Sequence, residues 1–197
     1  AIPRPGEISL AHNGVLFLDE LPEFSRIAME VLRQPIEDGR VTITRAAAKV
    51  TYPSNFTLVC AMNPCRCGYY GDTRHTCTCS PKDIKNYVSR ISGPLLDRID
   101  MEIELPAVSY NEISGKPEPG EPSERIRERV NRARRFADER LKRAGDKPGV
   151  LNGKMPPQLL HRHCALDGEA SELLKSAFES LGLSARGHDR VLRVART

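Results

Sequence analysis

Hydrophobic positions follow one pattern in the first half of this chain and another in the second half. Two short apolar runs, Val15 to Leu18 and Phe56 to Ala61, have the length and continuity of buried parallel strands. Later apolar residues recur instead at helical spacing. These later segments predict helices at about 123–144, 156–165, 168–181 and 185–197. The chain is therefore predicted to be an α/β unit followed by an α-helical unit.

A helix and a β-hairpin are predicted between the two apolar runs. Ser25 is a good N-cap for a helix that ends at about Gly39. Alternation of apolar and polar residues then replaces the helical period through residues 41–52. That change favours two antiparallel strands, with the basic residues Arg45 and Lys49 at the tip of the hairpin.

The remaining segments set the predicted domain boundaries. A helix is expected at about 81–90, and an alternating strand over 101–105 ends before a proline. Glycine and proline recur through residues 109–122, which predicts a linker without regular structure. The predicted organisation is thus an α/β part over 1–108, this linker, and a helical domain over 123–197.

Composition and charge exclude some classes of protein. The 197 residues are 39% hydrophobic and 28% charged, and no apolar run approaches the roughly 20 residues of a membrane span. We therefore expect a cytoplasmic protein that does not enter membranes. The net charge of +4 is too small to indicate nucleic-acid binding by itself. Segment 123–143 holds nine basic against four acidic residues, which a solvated helix face explains better than a ligand site.

Four of the six cysteines form two Cys-x-Cys pairs, Cys65 with Cys67 and Cys77 with Cys79. Four thiolates on two short turns suit a tetrahedral structural zinc ion. His75 is an alternative fourth ligand, and two disulfides are the alternative to a metal. Adjacent cysteines of this kind bridge poorly, so zinc is the favoured interpretation.

A set of polar residues follows the apolar segments in a fixed order. Asp19 and Glu20 end the first apolar run, where the first carboxylate is suited to bind magnesium and the second to activate a water molecule. Asn63 follows the second run, and Arg98 and Arg186 come later. Two simpler interpretations stay open, because Arg98 is also able to pair with a neighbouring aspartate and Asn63 to cap a turn.

The sequence resembles the magnesium-chelatase-like AAA+ ATPases of the ComM/YifB type across nearly its whole length. The resembling segments are Pro5 to Phe24, Ala61 to Cys65, Gly93 to Asp100 and Ser184 to Gly187. The resemblance implies a partial AAA+ P-loop NTPase core with a β-hairpin insertion and a zinc knuckle, followed by a helical lid.

The resemblance also implies a role for each polar residue. Asp19 and Glu20 correspond to the Walker B pair, with Asp19 at magnesium, and Asn63 corresponds to sensor 1. Arg98 corresponds to the arginine finger and Arg186 to sensor 2, so that ATP would lie between the subunits of a homo-hexameric ring. In this interpretation the full-length protein is an ATP-hydrolysing motor acting on DNA, which the hairpin tip would contact.

One element of that family pattern is absent from these residues. The sequence contains no Gly-x-x-x-x-Gly-Lys-Ser/Thr phosphate-binding loop, which in the family lies upstream of the first residue. We therefore expect no useful ATPase activity from these residues alone. Two other functions remain open: the motor subunit of a magnesium chelatase acting on porphyrin, and a non-catalytic, zinc-bearing interaction module.

Overall fold

The computed structural model describes most of the chain. The described residues are 3–45, 48–106, 108, 110, 114–115 and 120–197. The chain forms two compact units, Ala1–Pro106 and Ala107–Thr197. Much of the predicted linker, 109–122, lies outside the described residues.

The first unit mixes strands and helices, as predicted. In chain order its elements are α1 (Glu7–Leu10), β1 (Val15–Leu18), a 3-10 turn (Leu21–Glu23), α2 (Arg26–Asp38), β2 (Arg40–Arg45), β3 (Ala48–Pro53), β4 (Thr57–Cys60), α3 (Pro81–Val88) and α4 (Gly93–Leu96).

The second unit is helical where it is described, which also agrees with the prediction. Its elements are α5 (Ser123–Arg143), a 3-10 turn (Asn152–Lys154), α6 (Pro157–His163), α7 (Gly168–Leu181) and α8 (Ala185–Ala195). Nowhere in the described ranges is a helix both long enough and apolar enough to cross a bilayer.

The first unit contains two separate strand pairs. Strands β1 and β4 are parallel, and Leu18 lies opposite Cys60. Strands β2 and β3 are antiparallel, with Thr44 opposite Lys49. The parallel pair determines where the polar residues that follow β1 and β4 emerge, because the carboxyl ends of parallel strands lie at the same edge.

Strand β1 is covered on one face, whereas the sequence predicted a fully buried strand. Leu16 and Leu18 pack against the core of the first unit. Val15 and Phe17 point to the other face and are more than half exposed. Side chains alternate across a strand, so the described helices bury every second residue and leave the others in contact with solvent.

The core of the first unit joins the polypeptide after β1 to helices α2 and α4. Its buried residues are Leu21, Met29, Leu32, Ile91 and Leu95. Helix α2 begins at its Ser25 cap, whose hydroxyl accepts a hydrogen bond from the Ala28 amide at 3.2 Å. Gly39 ends the helix with a φ of 63°, a conformation that favours glycine.

The predicted strand over 101–105 is wrong. These residues have no regular secondary structure, and Met101, Ile103 and Leu105 are 69%, 75% and 87% exposed. A strand is stabilised by hydrogen bonds to a neighbouring strand. The described strands pair only as β1 with β4 and β2 with β3, so an alternating sequence pattern alone does not create a strand here.

The second unit has its own small core. Met155, Leu160, Cys164 and Leu192 are buried together. Asn152 links the surrounding segments, because its side-chain oxygen accepts from Arg140 at 2.6 Å and its amide donates to the Arg196 carbonyl at 3.1 Å.

Candidate nucleotide-hydrolysis and metal sites

The parallel pairing of β1 and β4 brings the predicted acidic residues and Asn63 to one sheet edge. The Ala61 amide donates to the Leu18 carbonyl at 2.9 Å, and the Leu21 amide donates to the Ala61 carbonyl at 3.0 Å. The two strand ends are therefore held together just where Asp19, Glu20 and Asn63 leave the sheet. These three residues, which we call the strand-end site, are all exposed.

Glu20 has an unusual backbone conformation. Its φ and ψ angles of 50° and 48° are left-handed, and Asn13 is the other non-glycine residue with a positive φ among those described. The Asp19 carboxylate accepts a hydrogen bond from the Glu20 amide at 2.9 Å. Left-handed conformations are uncommon for residues with a Cβ atom, and they are found at functional sites. The kink presents both carboxylates at the end of β1.

Replacing Glu20 with glycine is expected to stabilise the full-length protein while removing one carboxylate of the strand-end site. Relief of the left-handed strain contributes about 1 kcal/mol to the free energy of unfolding. Urea denaturation measures this change, and Glu20→Gln is the matched control because it keeps the Cβ atom and the strain. A glycine variant no more stable than the glutamine variant would contradict this explanation.

Two residues that the sequence analysis did not identify also contact this region. Arg90 follows α3, and its guanidinium donates to the Pro22 carbonyl at 3.2 Å and to the Glu23 carboxylate at 3.1 Å. Tyr87, at the end of α3, is only 7% exposed. Burial, together with the negative charges of Glu23 and Glu20, raises the pKa of its hydroxyl.

The Tyr87 hydroxyl also lies near the backbone of Asn63, and this contact lowers the pKa of the hydroxyl. Tyr87 is therefore a buried neighbour of the strand-end site. No sequence signal identifies it, because a tyrosine on the apolar face of a helix is usually a core residue.

Arg98 is held within the first unit. Its guanidinium pairs with Glu37 at 2.5 Å and also donates to the Pro94 carbonyl. The side chain is 6% exposed, and its Nε atom has no hydrogen-bond partner. This ion pair with Glu37 lies elsewhere in the fold than the neighbouring aspartates that the sequence offered as partners. The role of Arg98 as an arginine finger stays a prediction.

Arg186 and the hairpin residues are placed in the fold, but their roles are not tested. Arg186 is exposed in the first turn of α8, which is capped by the Ser184 hydroxyl. Lys49 is exposed on β3. Arg45 is the last residue of β2, and its side chain lies outside the described part of the chain, as do Ala46 and Ala47.

The four cysteines of the two Cys-x-Cys pairs meet in one cluster. The sulfur of Cys65 lies 3.4 Å from that of Cys67 and 3.7 Å from that of Cys77, and the Cys67 and Cys77 sulfurs are 3.6 Å apart. All four sulfur atoms, including that of Cys79, lie within 4.8 Å of one another. Tetrahedral zinc with bonds of about 2.3 Å requires sulfur separations of about 3.8 Å. The donor set therefore fits a zinc ion.

Neither alternative to a four-cysteine site is favoured by the geometry. All six cysteines are free, and the measured sulfur separations exceed the roughly 2.05 Å of a disulfide. A ring nitrogen of His75 lies 3.2 Å from the Asp72 carboxylate, and the same carboxylate accepts a hydrogen bond from the Arg74 amide at 2.6 Å. The cluster that the structure assembles contains cysteines only.

The thiols of the cluster differ in acidity. Backbone hydrogen bonds from Tyr69 and Thr78 lower the pKa of Cys67 to about 5. At Cys77 the backbone hydrogen bond from Cys79 is outweighed by burial and by the neighbouring sulfur atoms, which raise the pKa to about 12. Thiolates this close repel one another, and a bound divalent cation would favour ionisation of all four.

Comparison with known proteins identifies the family. The family model described as magnesium chelatase, subunit ChlI, matches residues 1–113, and the corresponding C-terminal model matches residues 120–197. Competence protein ComM of Haemophilus influenzae is 45% identical over 196 residues, covering 100% of this chain and 37% of ComM. The YifB protein of Escherichia coli is 44% identical over 197 residues, covering 100% of this chain and 37% of YifB.

These matches cover both units of the chain. The chain therefore belongs to the magnesium chelatase ChlI family and is of the ComM/YifB type. It spans little more than a third of the length of these two relatives.

Proposed function

We propose that the full-length protein is an ATP-hydrolysing motor of the AAA+ class, and that this chain supplies its water-activating residues. The observation that carries the proposal is the strand-end site. Parallel strands β1 and β4 place Asp19, Glu20 and Asn63 at one edge, and both relatives match the whole chain. The relatives are more than twice as long, so the phosphate-binding loop would come from another part of the full-length protein.

Each residue of the strand-end site has a distinct chemical role in this proposal. Asp19 would bind magnesium, which supplies charge neutralisation at the phosphates. Glu20 would orient the attacking water and accept its proton. Asn63 is neutral, so it would hydrogen-bond the water or the terminal phosphate without adding charge. Arg98 and Arg186 would stabilise the negative charge that develops on the phosphoryl oxygens, with Arg98 acting across a subunit boundary in a homo-hexameric ring.

DNA is the proposed partner of the motor. Arg45 is the last residue of β2, and Lys49 lies near the start of β3, where it is exposed. Cations at the tip of a hairpin are suited to contact phosphates, and such contacts weaken as salt rises. The relative ComM carries the name competence protein. A motor subunit for magnesium chelation is the second candidate, because that activity appears in the description of the matching family.

The full-length protein is expected to hydrolyse ATP and to do so faster when DNA is added. Replacing both Arg45 and Lys49 with alanine removes two proposed phosphate contacts. The slope of the logarithm of the DNA-binding constant against the logarithm of the salt concentration should therefore become less negative by about two. ATP turnover and DNA binding over a salt series measure these effects.

A matched variant controls for the loss of charge. Replacing the exposed Lys142 and Lys175 with alanine also removes two positive charges and is expected to leave the salt slope unchanged. Equal effects of the two double variants would contradict a hairpin contact. If the protein hydrolyses ATP but neither binds DNA nor is stimulated by it, the chelatase candidate is favoured. An absence of ATP turnover would overturn the motor proposal.

A further inference from the structure

The cysteine cluster is connected at both ends to elements of the strand-end site. Cys65 follows Asn63 after a single intervening residue, and Cys79 directly precedes Ser80, the N-cap of α3. Ser80 and Asp83 form a capping box, in which the Ser80 hydroxyl accepts from the Asp83 amide at 3.2 Å. The cluster therefore brings the segment leaving β4 next to the segment entering α3.

The far end of α3 returns to the strand-end site. Tyr87 is buried there, and its hydroxyl lies near the backbone of Asn63. Arg90 binds the Pro22 carbonyl and the Glu23 carboxylate, two and three residues after Glu20. These contacts make a closed path from the cluster through α3 to both strand ends.

The segment between Asn63 and Ser80 has few other constraints. It contains turns and bends but no helix or strand, and many of its residues are exposed. Ordering such a segment costs conformational entropy. A metal ion bound by four thiolates compensates for that cost, because binding at a structural site contributes directly to folding. Without the ion, the entrance to α3 loses its attachment to the end of β4.

We propose that metal binding at the cysteine cluster controls the geometry of the strand-end site, with Tyr87 and Arg90 of the α3 region as the positioning residues. Metal loading holds α3 so that Tyr87 supports the backbone of Asn63 and Arg90 supports the turn after Glu20. This inference rests on the proposed ATP hydrolysis for its catalytic consequence. The structural coupling itself is independent of that activity.

Kinetics of the full-length protein test the catalytic consequence. The zinc-loaded Tyr87→Phe variant is expected to have a kcat about tenfold lower than the zinc-loaded wild type and an unchanged KM for ATP. Small displacements of groups that position the attacking water slow the chemical step. Arg90→Ala is expected to act in the same direction. Removing zinc with a chelator is expected to lower the wild-type kcat by a similar factor.

The effects of metal removal and substitution should not add. If the metal acts through Tyr87, chelation changes kcat of Tyr87→Phe by less than about twofold. Tyr70→Phe and Lys85→Ala are matched controls, since both side chains are exposed and the first makes the same chemical change. Each control should keep the wild-type kcat and the wild-type response to chelation. Additive losses in Tyr87→Phe would overturn the inference while leaving the motor proposal standing.

Amide hydrogen exchange tests the coupling without any ATPase measurement. Zinc removal is expected to accelerate exchange at residues 61–63 and 87–91, and Tyr87→Phe should accelerate exchange at 61–63 with zinc still bound. Unchanged exchange at 61–63 after complete zinc loss would overturn the inference. If ATP turnover is absent but the exchange response is present, the motor proposal fails and the coupling stands.

Discussion

Replacing Glu20 with glutamine in the full-length protein is expected to abolish ATP hydrolysis and to preserve ATP binding. The substitution removes the carboxylate that would accept a proton from water, and general-base catalysis typically contributes about 10²- to 10⁴-fold in rate. It leaves Asp19, the proposed magnesium ligand, in place. It also keeps the side-chain length and the left-handed backbone of residue 20.

Phosphate release and equilibrium nucleotide binding together measure this result. Glu7→Gln is the matched control, because it neutralises another exposed carboxylate of the first unit and should retain wild-type turnover. Asp19→Asn provides a contrast, since loss of the metal ligand should weaken magnesium-dependent ATP binding as well as turnover. Wild-type turnover in Glu20→Gln would exclude Glu20 as the base.

Local signals in the sequence were sufficient to predict much of the fold. The continuous apolar runs predicted β1 and β4, and the structure confirms that they are parallel. Ser25 and the Gly39 region marked the ends of α2 within a residue. The helices of the second unit were found because proline and glycine separate segments of clear helical period. These features depend on residues that are close in sequence.

Features that depend on tertiary contacts were predicted less well. The apolar residues of helix α2 form more than one stripe: Ile27 and Val31 are 78% and 57% exposed, whereas Met29, Leu32 and Pro35 are buried. Met29 and Leu32 pack against Leu95 and the turn after β1. Helical periodicity identifies such stripes, but the neighbouring elements decide which one is buried.

The strand-end site shows the same division between local and long-range information. The acidic pair and Asn63 were recognised because each directly follows an apolar run. The contacts of Arg90 with Pro22 and Glu23 were not predicted, because α3 lies more than 60 residues after β1 and no local pattern links the two. The candidate side chains were thus visible in the sequence, while the contacts around them required the fold.

The purified protein is expected to contain one zinc ion per chain, and Cys65→Ser is expected to contain none. Cys65 is fully buried at the centre of the cluster, and a serine hydroxyl does not replace a thiolate ligand. A site filled at about 1,000 times its dissociation constant stabilises the fold by about 4 kcal/mol. For a chain of 197 residues, the loss of this stabilisation should lower the midpoint of thermal unfolding by about 10 °C.

Elemental analysis, thiol titration and thermal unfolding measure these effects. Cys164→Ala is the matched control: it removes another buried thiol, which packs in the core of the second unit rather than in the cluster. The control should keep its zinc, although the cavity left by the smaller side chain lowers its stability. Zinc loss restricted to Cys65→Ser would therefore assign the metal to the four-cysteine cluster. A metal-free protein with four oxidised thiols would instead establish two disulfides and overturn the zinc assignment.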